Sequence, residues 1–230
     1  MTMNPSQPGG APTKRVIASM AARVRSLRVA WMVRDANSLG EAGYPAGARD
    51  RLLAALPLAR RVPGDSERTA LAVRSRAAHW MAMAGDAGAA TDEYAELIPV
   101  YERVYGAEHA ETLAARRELY SWTGEAGDAA SALAQCRDLL EVQDRVSGPE
   151  HLDTLTVRQD LAHWTGVAGD AVRARDEYAA LLPAADRALG AEHPRTVSIR
   201  GNLAAWTAKA GEATQTRPPR QPPGDGAGNG

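Results

Sequence analysis

Apolar side chains recur three and four residues apart through most of the chain, the spacing of one helix face. From Thr112 to Ala126 the apolar positions are Leu113, Leu119 and Trp122, and from Ala129 to Val146 they are Ala132, Cys136, Leu139 and Leu140. Gly127-Asp128 separates the two runs. Glycine can take the left-handed conformation that ends one helix, and aspartate can cap the next. The pattern therefore predicts a helical hairpin, and it repeats. Trp80, Trp122, Trp164 and Trp206 stand 42 residues apart. Gly85, Gly127, Gly169 and Gly211 keep that interval, each followed by an acid, and so do Gly64, Gly106, Gly148 and Gly190. Two arginine columns share it: Arg74, Arg116, Arg158 and Arg200, and Arg61, Arg103, Arg145 and Arg187.

One hairpin cannot bury its own apolar faces, so neighbours must stack. The expected fold is all-α, a right-handed α-solenoid of about nine helices with a 42-residue period. The first helix is expected over 14–40 and a capping last helix around 195–210, with Pro194 at its first position, where a missing N–H costs nothing. Residues 14–212 form the expected solenoid. Residues 1–13 and 213–230, rich in Pro and Gly, are expected to be a disordered arm and tail, with polyproline II character around Arg217–Pro223. Pro99 and Pro183 fall inside second helices and are expected to kink or break them, whereas Glu141 at the same place leaves its helix straighter.

The run Thr112-Leu113-x-x-Arg116-x-x-Leu119-x-x-Trp122-Thr123-Gly124-x-Ala126-Gly127-Asp128, followed by a second helix and by Gly148-x-Glu150-His151, resembles tetratricopeptide repeats. The period is similar to that of the longer, kinesin-light-chain-like subclass. The chain departs from the family at the Arg74 column, where a large apolar residue is usual. It departs again at Tyr120, where the other units have the small Ala78, Ala162 and Ala204, so that hairpin is expected to splay.

Composition narrows the chemistry. The 230 residues carry 27 basic and 28 acidic side chains, and there is a single cysteine, Cys136. An intramolecular disulfide framework and a cysteine-rich metal site are excluded. No run approaches about 18 consecutive apolar residues, and the first residues lack the apolar core of a secretory signal, so a cytoplasmic protein is expected. His109, His151 and His193 come one per unit, too far apart for one metal sphere, and read as loop or capping residues. His79 and His163 lie two units apart. Cys136 sits where other units have Tyr94 and Tyr178, a packing position. No phosphate-binding loop, nucleophile elbow or paired-carboxylate constellation is present. The reading assigns no catalytic residue, no cofactor and no metal, and the chain is not expected to be an enzyme.

Two charge patterns remain. The arginine columns would repel themselves unless carboxylates interleave. Candidate partners are Glu108, Glu150, Glu192, Asp86, Asp128 and Asp170, the other reading being an anion-binding stripe. Residues 14–34 hold Lys14, Arg15, Arg23, Arg25, Arg28 and Arg34 and no acid. Ile17, Met20, Val24, Leu27 and Trp31 form an apolar stripe there, expected to be the core face of the first helix. The alternative is a basic amphipathic helix that meets nucleic acid or anionic membrane.

The resemblance implies that first helices line a concave groove. The matching positions include Ser75, His79, Met83, Arg117, Ser121, Glu125, Gln159, His163 and Lys209. They do not repeat the donors of a carboxylate clamp, so an acidic C-terminal peptide is not expected. The implied function is a protein-interaction scaffold whose partner is a peptide or helix of another protein. Near-neutral charge without interleaved aromatics argues against nucleic acid, and membrane is not the expected partner.

Overall fold

The computed structural model describes residues 14–216. Nine helices account for most of the described residues. They are α1 (Lys14–Glu41), α2 (Pro45–Ala59), α3 (Ser66–Met83), α4 (Ala87–Tyr105), α5 (Ala110–Glu125), α6 (Ala129–Ser147), α7 (Leu152–Val167), α8 (Ala171–Leu189) and α9 (Pro194–Thr216). The expected arm at 1–13 and the tail beyond 216 lie outside the described residues, and α9 runs past the expected end at 212. The chain divides into two compact units, residues 1–122 and 123–230, with the boundary inside α5.

Turn chemistry sets the helix ends. At the Gly85 turn the Asp86 amide donates to Met81 O at 3.2 Å, and at the Gly127 turn the Asp128 amide donates to Thr123 O at 3.1 Å. This closes the first helix over a glycine at positive φ, 99° and 104°. The same aspartates then cap the following helix, accepting from the amides of Ala89 and Ser131 at 3.0 and 2.9 Å. His109, His151 and His193 open the first-type helices. Each Nδ1 accepts from the backbone amide two residues on at 3.2 Å, which accounts for their period without a metal.

In the first unit α1 to α4 pack in chain order, around Val29, Met32, Ala36, Leu52 and Val73 and then around Leu71, Ala78, Tyr94, Leu97 and Tyr101. In the second unit α7 to α9 enclose Leu155, Tyr178, Leu181, Ile199 and Trp206. Each helix carries at least one buried alanine, a small side chain that lets backbones approach closely. Cys136 is buried, and its Sγ lies 3.5 Å from Val157 O. Tyr120, the large residue in a small-residue column, is fully buried.

Two expectations are corrected. The prolines do not break their helices: α4 and α8, with Pro99 and Pro183, are 19 residues long, as is α6 without a proline. Pro99 and Pro183 lie on exposed turns, and so do Ala95 and Ala179, whose carbonyls lose their helical partner and can bond water instead. The second correction concerns α1. Its buried residues are Val29, Met32 and Ala36, whereas Ile17, Met20, Val24, Leu27 and Trp31 are exposed. The stripe lies on another face: at about 100° per residue it is turned roughly a third of a circle from Val29, Met32 and Ala36, which pack on α2.

Candidate functional site

At least six of the eight column arginines meet carboxylates. Arg116, Arg158 and Arg200 meet Glu102, Asp144 and Asp186 at 2.6, 3.0 and 3.5 Å. Those carboxylates are themselves a 42-residue column on the second helices, and each stands fourteen residues before its arginine. Position 60 is Arg60, so Arg74 reaches forward instead, to Glu93 and Glu96. The turn aspartates expected as partners serve as caps. In the other column Arg103 pairs with Glu67, and Arg187 with Glu150 at 2.9 Å.

The first unit contains a cavity of about 490 Å³. Its rim comes from first-type helices: Asn37 and Glu41 of α1, Ala72, Ser75, Arg76, His79 and Trp80 of α3, and Glu111 and Glu118 of α5. Its floor comes from Tyr94 and Tyr101 of α4. Three carboxylates face one guanidinium, so the cavity favours positive charge.

The floor is a closed hydrogen-bond chain. Ser75 Oγ donates to Leu71 O at 3.1 Å, which uses its only proton. The Tyr101 hydroxyl, 2.5 Å from Ser75 Oγ, therefore donates to it, and the Tyr94 hydroxyl donates to Ser75 O at 3.0 Å. Burial pushes both phenols above the ordinary tyrosine range. Ser75 thus has a phenol rather than a base for a neighbour, unlike an activated nucleophile.

On the rim, His79 Nδ1 lies 3.8 Å from Glu118 Oε2, and Trp122 Nε1 donates to the same oxygen at 3.0 Å. The His79 ring stands edge-on to Trp80 and Trp122, with centroids 5.2 and 5.7 Å away. Trp80 Nε1 points to Asn37 Oδ1 at 3.4 Å. Burial raises the Glu118 pKa, but His79, Arg117 and the Trp122 N–H together outweigh it and hold the carboxyl below its usual 4.5. A lowered folded-state value stabilises above 4.5 and is lost as pH falls through it. Glu118→Gln should therefore cost about 1 kcal/mol at neutral pH, after solvent screening. Urea midpoints of the two proteins should converge below pH 4.5.

Of the positions implied by resemblance, the cavity gathers Ser75 and His79. Met83 is exposed at the end of α3, outside the lining. Arg117 comes within 4.0 Å of Glu118, and Ser121 is half-buried, both outside the lining. In the second unit Glu125 is exposed. Gln159 bonds Ser198 and Arg195 at 3.3 and 3.2 Å. His163 stands edge-on to Trp164, and Lys209 Nζ lies 4.3 Å over the Trp206 ring. Sequence reasoning missed Asn37, Glu41, Arg76, Glu111, Glu118 and the two tyrosines. Asn37 and Glu41 stand one period before His79 and Met83, so extending the register into α1 would have found them. Among the described residues no cluster of three metal-ligating side chains occurs, and no helix is long and apolar enough to cross a membrane.

Neither a protein-family model nor a curated protein matches the chain. Solved structures do. A Podosopora anserina protein of nearly identical TPR-like repeats, named for the kinesin light chain, superposes with a TM-score of 0.68 at 19% identity. The match covers 84% of this chain and 90% of that one. BtubC (BKLC) from P. vanneervenii superposes with a TM-score of 0.69 at 17% identity, over 93% of this chain and 96% of that one. The fold is that of kinesin light chain-like TPR repeats, an all-α repeat scaffold of the solenoid class.

Proposed function

We propose that the chain is a non-enzymatic, cytoplasmic scaffold that takes a peptide or helix of a partner protein on the face of its first-type helices. The cavity of the first unit carries this reading. Its rim is built from α1, α3 and α5, the positions at which a bound segment would run across successive repeats. Aromatic walls from Trp80, Tyr94 and Tyr101 offer apolar contact. Glu41, Glu111 and Glu118 against Arg76 offer charge, so the segment carries a basic side chain at this point. Ser75, which donates to Leu71 O and has a phenol for its other neighbour, supports recognition rather than an activated nucleophile. In the second unit Gln159 and His163 form a separate polar stretch on α7 for the same kind of contact.

Selection from a displayed library of random peptides tests the reading. Enriched peptides should carry Arg or Lys beside an apolar residue. Ala72→Trp fills the cavity from an exposed position, and it should weaken those peptides by at least about tenfold, the loss of one well-placed anchor. Peptides indifferent to Ala72→Trp, or no enrichment at all, would refute the site.

A further inference from the structure

The amino-terminal half of α1 leaves an apolar stripe in water. Ile17, Met20, Val24, Leu27 and Trp31 are between 53 and 66% exposed and follow 3-4-3-4 spacing along one face. This face is not the one that packs on α2, which carries Val29, Met32 and Ala36. The helix thus has two apolar faces, one buried and one bare. Ser19 and Ser26 lie on its polar side, away from the stripe. Single exposed apolar residues need no explanation, but a continuous stripe of five does.

Charge identifies what covers it. Residues 14–34 carry six cations and no acid. At 100° per residue, Arg23 and Arg34 border the stripe on one side and Arg28 on the other. All three are exposed, and none has an acidic partner among the described residues. The Arg51 guanidinium of α2, ion-paired with Asp35 at 2.6 Å, lies 5.0 Å over the Trp31 ring. A second copy laid on this stripe would bring two such cationic helices together, which repel. The Arg217–Pro223 segment is basic as well.

We propose that α1 docks in the plane of an anionic bilayer surface, with its stripe in the acyl boundary and its arginines among the headgroup phosphates. Long arginine stems suit that position, because they let the charge stay at headgroup level while the stripe goes deeper. The 28-residue helix lies on the surface and does not cross it. This surface is independent of the cavity between α1, α3 and α5, so a scaffold held by α1 keeps its peptide site free.

Co-sedimentation of the full chain with phosphatidylcholine vesicles, with and without about 30% phosphatidylserine, tests this. Binding is expected only to the anionic vesicles, weakening as salt rises. Arg23→Ala, Arg28→Ala and Arg34→Ala together should lower partitioning about 100-fold. Val24→Glu with Leu27→Glu should abolish it. Both sets change exposed residues, so unchanged far-UV circular dichroism and peptide binding should accompany the loss. Equal binding to neutral vesicles would overturn the proposal, as would no binding at all. Sedimentation velocity of the vesicle-free protein gives a further outcome: a dimer that Val24→Glu dissociates, with no vesicle binding, would assign the stripe to a second copy and overturn it too.

Discussion

Trp206→Ala is expected to lower the stability of the second unit by about 3–5 kcal/mol, the range for deleting a buried tryptophan. Trp206 is 8% exposed and joins the cluster of Leu155, Tyr178, Leu181 and Ile199. Its ring also lies over the backbone of Gly166, so truncation empties space on α7 as well as under α9. Loss of the Lys209 contact at 4.3 Å adds about 0.5–1 kcal/mol at such a surface. Repeat arrays unfold in part, so the loss should concentrate near α9. Hydrogen exchange is the direct measurement: amides of α9 should lose about 100-fold or more in protection. A change below about 1 kcal/mol would mean that α9 does not depend on the ring for docking, and Lys209→Ala separates the small cation term from the large packing one.

How far the sequence foretold this architecture depends on whether the deciding physics was local. The Gly85-Asp86 and Gly127-Asp128 turns were legible because two nearby demands fix them, a positive φ and a short acceptor for the next amides. The prolines do not end their helices because a freed carbonyl is costly mainly when buried, and the carbonyls of Ala95 and Ala179 are on exposed turns. The stripe of α1 misled for a different reason. Helical spacing shows that a face is apolar but not which face a neighbour covers, and α2 packs on the face of Val29, Met32 and Ala36 instead. The arginine columns were visible, and the expected linker carboxylate Glu150 does pair with Arg187, but the partners of the Arg116 column were sought in linkers and turns. The carboxylates Glu102, Asp144 and Asp186 lay in the same period on the preceding helices.

The candidate site was half legible. Ser75 and His79 followed from register and resemblance. Glu118 and Arg76 did not, because they occupy one column with opposite charge, so no repeat argument selects them. Tyr94 read as a packing residue, and its ring and that of Tyr101 are core. Only the hydrogen bonds of their hydroxyls to Ser75 show that they also form the cavity floor.

The columns also hid a packing device, and it carries the second large effect. Gly40, Gly124 and Gly166 stand two residues after the tryptophan position of one unit and meet the tryptophan of the next, Trp80, Trp164 and Trp206. A Cβ built on Gly166 would lie 2.3 Å from Trp206 Cη2, with Cζ2 and Cζ3 at 2.5 and 2.6 Å. Gly166→Ala therefore sets two effects against each other. Alanine is the better helix former by about 1 kcal/mol. Overpacking a rigid, buried ring costs about 1–3 kcal/mol, toward the upper end with three ring atoms in the way. The clash should win, leaving the second unit about 1–2 kcal/mol less stable. Removing the ring removes the clash and leaves the propensity. In the Trp206→Ala background, Gly166→Ala should therefore stabilise by up to about 1 kcal/mol, an inversion of sign and a coupling of about 2–3 kcal/mol. Urea unfolding of the four proteins measures that cycle. If Gly166→Ala stabilises with the tryptophan present, the glycine column is not there to receive the ring.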